Sequence, residues 1–259
     1  MKTLILLLSM MIADTILSDI NGLSAQGKPI NYLAMSKEFL TAVRNKEKID
    51  LYLQSWAFCD LIQLSKQVET DQQKLAFWVN MYNAYIQVIL TSHPEKYNDR
   101  GAFFKEKQIK LGGLMFSFED IEHGILRRSQ HPFFLGYFTR WFPDKTEKML
   151  RVGKRDWRIH FALNCGAKSC PPVAIYDTDR IEEQLEVSTK NYLQKFSTYH
   201  HSDKIAYVTS LFSWFRGDFG GLEGIKNILI KQNIIPDRNV RLKTAEYDWT
   251  LDLDNFVDL

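Results

Sequence analysis

The chain has 259 residues, with 33 Lys+Arg against 31 Asp+Glu and a net charge of +2. Charges so balanced and interleaved give no electrostatic footprint for nucleic acid, and 45% hydrophobic with 25% charged residues exclude a disordered or fibrous chain. Three cysteines are too few for a disulfide scaffold, and their odd number leaves at least one unpaired within a monomer.

Lys2 precedes an uncharged apolar run, Thr3–Ala13, that Asp14 interrupts well short of the roughly 20 residues a membrane span needs. A positive start, a short apolar core and small residues at Ser24-Ala25 predict a signal peptide over residues 1–25. The mature protein is then expected to be exported, periplasmic or extracellular, with no stable membrane span. Without repeats or Pro/Gly/Ser-rich linkers, residues 26–259 read as a single α+β domain.

Apolar spacing predicts helices over 33–44 and 51–66, then a longer one from Asp71 to Thr91 ended by Pro94. Gly112-Gly113 between Gln108–Leu111 and Leu114–Phe116 reads as a two-residue hairpin turn rather than a phosphate loop, since no Lys-Ser/Thr follows. Ser117 caps a short helix that starts acidic and ends basic. Trp157–Asn164 alternates and predicts a strand. A helix over 179–196, a strand over 205–209, a helix over 222–231 and a final strand over 240–243 follow. The irregular alternation predicts α+β, a single compact domain with a central buried helix packed on a small mixed or antiparallel sheet.

That central helix is apolar almost all round, except for a narrow stripe of Gln73, Asn80, Asn83 and Gln87. Buried amides need partners. Gln73 and Gln87 are expected to satisfy loop backbone. For Asn80 and Asn83 that role and a pocket-lining one stand level.

The richest segment is His160-Phe-Ala-Leu-Asn-Cys-Gly-Ala-Lys-Ser-Cys-Pro-Pro172, a strand running into a loop with Cys165 at its end. Five residues of strand would hold His160 roughly 16 Å from Cys165, too far for a proton-transfer pair. His123 is the better candidate base, with Asn83 or Asp218 as its orienter. Glu122 would point about 100° away from His123 around their helix. His200 and His201, in a polar stretch read as loop, are weaker alternatives.

Three pieces carry a family resemblance: Leu75-Ala-Phe-Trp-Val-Asn-Met-Tyr-Asn83, Phe118-Glu-Asp-Ile-Glu-His-Gly-Ile-Leu-Arg127 and Arg158-Ile-His-Phe-Ala-Leu-Asn-Cys-Gly-Ala-Lys-Ser-Cys-Pro171. With two shorter ones, Ile181–Leu185 and Trp214–Phe219, they span about 70–220. The chain resembles the family catalogued as domain of unknown function 547. The resemblance implies Asn80, Asn83, Glu122, His123, His160, Asn164, Cys165, Cys170 and Asp218 as motif positions, but no reaction. Trp157 and Phe215 depart from the expected Pro and Tyr.

Two readings compete. One is a cysteine-dependent hydrolase or acyl transferase acting on a small molecule or peptide, with Cys165 as nucleophile and His123, or a repositioned His160, as base. Glu122, Asn83 and Asp218 complete that site, and Asn80, Asn164 and Cys170 bind. The other is a structural or partner-binding module stapled by a Cys165–Cys170 disulfide, in keeping with export. A metal site at His123, His160 and a cysteine or Glu122 matches no compact ligand spacing, and no cofactor is expected. Cys59 is expected to pack, and the acidic tail (Asp252, Asp254, Asp258) to be solvated surface.

Overall fold

The computed structural model describes residues 30–259, so the expected signal peptide lies outside the described residues. At the centre is the Asp71–Ser92 helix, buried without a break from Leu75 to Gln87. A capping box starts it: Thr70 accepts from the Gln73 backbone while the Gln73 side chain accepts from the Thr70 backbone. The Tyr32–Arg44 helix packs along it, with Phe39 edge-on to Tyr85 at 5.5 Å.

The helix expected over 51–66 breaks in two, Asp50–Phe58 and Leu61–Gln67. Asp60 causes the break, because its carboxylate caps the second helix at the Ile62 and Gln63 amides. Cys59, at the junction, is a buried free thiol. Burial pushes that thiol up to about 12, so it packs as a small apolar group.

Two small sheets complete an α+β fold. Strands β1 (Ile109–Leu111) and β2 (Leu114–Phe116) form the expected antiparallel hairpin. Gly112 and Gly113 turn it with φ of +57° and +76°, and a Cβ on Gly112 would come within 2.4 Å of Leu61. The second sheet is mixed: β3 (Thr198–His200) antiparallel to β4 (Ile205–Val208), which is parallel to β5 (Arg241–Thr244). His200, expected in a loop, is therefore on β3. It is exposed, as is His201, and neither reaches the cleft described below.

The largest correction concerns Trp157–Asn164, which is not a strand. Trp157–Phe161 is a 3₁₀ helix, begun by the Asp156 carboxylate accepting from the Arg158 amide. Alternation misleads here because two apolar clusters flank the segment. Ile159 faces the main core while Phe161 joins a second cluster with Tyr192, Phe212 and Phe219. The tail also differs from expectation. Its carboxylates are surface groups, Asp254 pairing with Lys46 and Asp258 with Arg44, but the chain between Ala245 and Leu259 is a strap. Backbone carbonyls of Asp248, Thr250 and Asn255 accept from Ser169, Lys168 and Val173, and Trp249, Leu251 and Phe256 pack on the core.

The buried amides of the central helix bond to distant backbone. Asn80 donates to the Tyr176 carbonyl at 2.8 Å and accepts from its amide at 2.9 Å. Gln87 accepts from the Asp254 amide at 3.0 Å. Asn80→Ala leaves both backbone groups of buried Tyr176 without these partners. It should lower unfolding stability by about 2 kcal/mol or more in a urea titration, with the slope unchanged.

Candidate functional site

Ser117 begins the segment that carries the site. Its hydroxyl accepts from the Asp120 amide, while the Asp120 carboxylate accepts from the Ser117 amide and hydroxyl. Asp120–Leu126 is a π-helix, with the Arg127 amide donating to the Glu122 carbonyl at 2.8 Å. Such wide turns are frequent at functional sites. Glu122 and His123 are closer together than separate helical faces predict: the Glu122 carboxylate lies 3.7 Å from His123 Nδ1.

His123 Nδ1 is 2.6 Å from an Arg127 guanidinium nitrogen. Arginine can only donate, so Nδ1 accepts and the ring is neutral with its proton on Nε2. Burial and then the Arg127 charge hold His123 well below the usual histidine range. Arg127 is itself buried and donates through Nε to Asp218 Oδ2 at 2.6 Å.

His160, which would stand on a strand far from everything, turns inward on the 3₁₀ helix. Its Nε2 donates to the same Asp218 oxygen at 2.8 Å, and its ring stacks on Phe215 at 3.9 Å. Arg127 also sits over the Phe215 ring, 4.7 Å from its centre. Arg155 donates to Asp218 Oδ1 at 3.0 Å. Asp218 thus orients His160 rather than His123. Burial opposes its ionisation, but the His160 and Arg127 hydrogen bonds outweigh burial and bring it down to about 2. Burial brings His160 down to about 4 against the pull of Asp218, so the ring is neutral at pH 7 and Nδ1 is its basic nitrogen.

Beyond His160 the chain is shaped by amides. Asn83 donates to the Ala162 carbonyl at 3.0 Å and accepts from the Asn164 amide at 2.8 Å. Asn164 closes the next loop, accepting from the Gly166 amide at 2.9 Å and donating to the Pro171 carbonyl at 2.7 Å. Gly166 takes φ +84°, where a Cβ would lie 2.9 Å from Leu90. The loop so closed brings Cys165 and Cys170 together, their Cα atoms 6.0 Å apart, in a disulfide. Tyr247 of the C-terminal strap places its hydroxyl 3.4 Å from Cys165 Sγ and 3.2 Å from Cys170 Sγ.

These elements enclose a cleft of about 280 Å³. Glu122, His123, His160, Cys165 and Cys170 line it, whereas Asp218, Asn83 and Asn164 stand behind the lining and Asn80 lies on another face. Tyr82, Phe104, Trp214, Phe215, Tyr247 and Trp249 supply aromatic walls. Arg127, Tyr82 and the strap residues Tyr247 and Trp249 were not nominated by sequence reasoning. Arg127 alone carried a signal, standing four residues after His123 and so on its side of a helix. Among the described residues no three of His, Cys, Asp or Glu gather as metal ligands.

Within the cleft, Glu122 is the carboxyl raised toward neutrality. Burial, and then the neighbouring Asp218 and Glu119 charges, raise its carboxyl to about 7 against the lowering effect of Arg127. The cleft therefore offers a carboxyl able to give or take a proton, a neutral His123 with Nε2–H, and a bonded pair of sulfurs. Because the folded state holds the Glu122 proton more tightly than the unfolded chain, this group's stabilisation is complete below about 4.5 and is lost as the pH rises through about 7. Glu122→Gln should match the parent chain's stability at pH 4.5. It should become the more stable of the two by pH 7–8, read as thermal midpoints across a pH series.

Residues 66–193 match the model of a family described as "Protein of unknown function, DUF547". The match takes in all three long motifs and stops before the Trp214–Phe219 piece that supplies Asp218. No curated protein and no solved structure matches the chain.

Proposed function

Because the chain carries a DUF547 domain, whose motifs supply the polar lining of an aromatic cleft, we propose that it is an exported, disulfide-stapled binding module taking a small molecule or a peptide side chain. The observation that carries this reading is the Cys165–Cys170 bond. It removes the one thiol placed to act as a nucleophile and rigidifies the cleft wall. His123 and His160 are committed as well, through one nitrogen each, to Arg127 and Asp218. A disulfide is at home outside the reducing cytoplasm, which supports export. Aromatic walls with a few convergent polar groups are the ordinary make-up of a small-ligand site.

Thiol titration of denatured protein purified without reductant tests the staple. One reactive thiol per chain, that of Cys59, is expected; three would remove the basis of the reading. Cys165→Ser with Cys170→Ser should cost on the order of 2 kcal/mol in unfolding stability, the scale set by closing a short loop.

A second reading is a cysteine-dependent hydrolase or acyl transferase working from the reduced chain. Its support is that Cys165 shares the cleft with two neutral imidazoles, one oriented by an ionised aspartate in the manner of a base and its positioning carboxylate. In that case Cys165 is the nucleophile and His160 Nδ1 the proton acceptor. After mild reduction, iodoacetamide should alkylate Cys165 with a midpoint well below that of a free thiol, and His160→Gln should abolish the depression. An ordinary thiol midpoint, unaltered by His160→Gln, would sink this second reading and leave the first standing.

A further inference from the structure

Seven of the fifteen exposed large hydrophobic side chains among the described residues fall within ten positions: Phe133, Phe134, Leu135, Tyr137, Phe138, Trp141 and Phe142. Trp141 and Phe142 are 87% and 91% exposed. Scattered surface apolars need no explanation, but a contiguous group of this kind marks an interaction surface.

The loop is held out rather than collapsed. Its base is pinned where Gly217 donates to the Leu135 carbonyl at 2.6 Å and Arg155 to the Gly136 carbonyl at 3.2 Å. Gly136 packs so tightly on Asp218 that a Cβ would lie 2.4 Å from its carboxylate. The next turn back is closed by Arg140 donating to the Ser129 carbonyl at 2.7 Å. Phe134 and Leu135 take φ of +74° and +55°, a conformation non-glycine residues adopt only where surroundings impose it. A fixed backbone thus presents the rings to solvent.

Charge selects the occupant. From Arg127 to Arg155 the chain has eight basic residues (Arg127, Arg128, Arg140, Lys145, Lys148, Arg151, Lys154, Arg155) against Asp144 and Glu147, a net +6 in a chain whose total is +2. Arg127 is spent on Asp218 and Arg140 on Glu147, but Arg128, Lys145, Lys148 and Lys154 are exposed. Lys105 stands over the Phe133 ring at 5.6 Å, which places a cation directly on the aromatic loop. Phenylalanine, tyrosine and tryptophan beside lysine and arginine are the residue types that sit at a membrane–water interface, rings among the headgroups and cations on lipid phosphate.

We infer that the 133–142 loop docks this protein onto an anionic lipid surface. Pro132, at the loop's start, lines the cleft, so docking sets the cleft mouth beside the lipid. The docking stands whether or not the cleft function proposed above is right.

Sedimentation of the full chain with vesicles tests it, using phosphatidylcholine vesicles with and without 30% phosphatidylglycerol (roughly the anionic fraction needed for a clear surface potential). Association with the anionic vesicles only is expected, weakened by salt. The Trp141→Ala, Phe142→Ala double variant should bind about tenfold more weakly, and it removes only exposed rings. Equal binding to both vesicle types, equal binding by the double variant, or no binding at all would overturn the inference. Concentration-dependent self-association that the double variant abolishes, without vesicle binding, would assign the loop to a second copy and overturn it equally.

Discussion

The buried carboxylate of Asp218 is the interaction on which the site depends. One side chain accepts from Arg127 on the far end of the π-helix, from His160 on the 3₁₀ helix and from Arg155 between them. An anion out of water is tolerable only when its lone pairs are filled by such donors. The same requirement fixes where those three donors must stand. Arg127, so held, dictates that His123 is neutral and which nitrogen bears its proton. Phe215 completes the arrangement as a surface for both the His160 ring and the Arg127 guanidinium. Gly136 packs on the same carboxylate and Gly217 packs on Gly136, so the base of the aromatic loop rests on it too.

Around that centre, buried amides organise the chain. Asn80, Asn83 and Gln87 project from a buried helix, and each takes up backbone groups of a segment far away in sequence. Asn164 does the same for the loop it belongs to. Such side chains act as splints: they let irregular backbone run through an interior where its polar groups would otherwise be orphaned. The Cys165–Cys170 loop is held by these amides as well as by its bond. This explains why four of the nominated polar positions, Asn80, Asn83, Asn164 and Asp218, stand behind or away from the cleft wall, whereas Glu122, His123 and His160 form part of it.

Legibility in the sequence followed the range of the forces involved. The central helix was plain because its apolar pattern and the proline beyond its end are local. The Gly112-Gly113 hairpin was plain because only glycine takes both left-handed positions cheaply. Trp157–Phe161 misled because alternating burial arose from two apolar clusters on opposite sides, not from a pleated strand. Once that segment is helical, the extended spacing that separated His160 from Cys165 no longer applies, and both line one cleft. The C-terminal strap gave no warning at all, since single backbone bridges leave no periodic pattern.

From its sequence alone this chain can be assigned an α+β fold around one buried helix, a family, and a short list of polar positions, because periodicity, capping and motif order are properties of neighbouring residues. What the list means was decided by tertiary structure. Asp218 meets His160 across 58 positions and Arg127 across 91, and Tyr247 reaches the two cysteines from 82 and 77 positions away. The odd count of three cysteines resolves in the same way, into one buried thiol and one bonded pair. Composition limits how many such pairs can exist. Which ones do is set by the folding of distant segments into bonding range, and no local signal carries that distance.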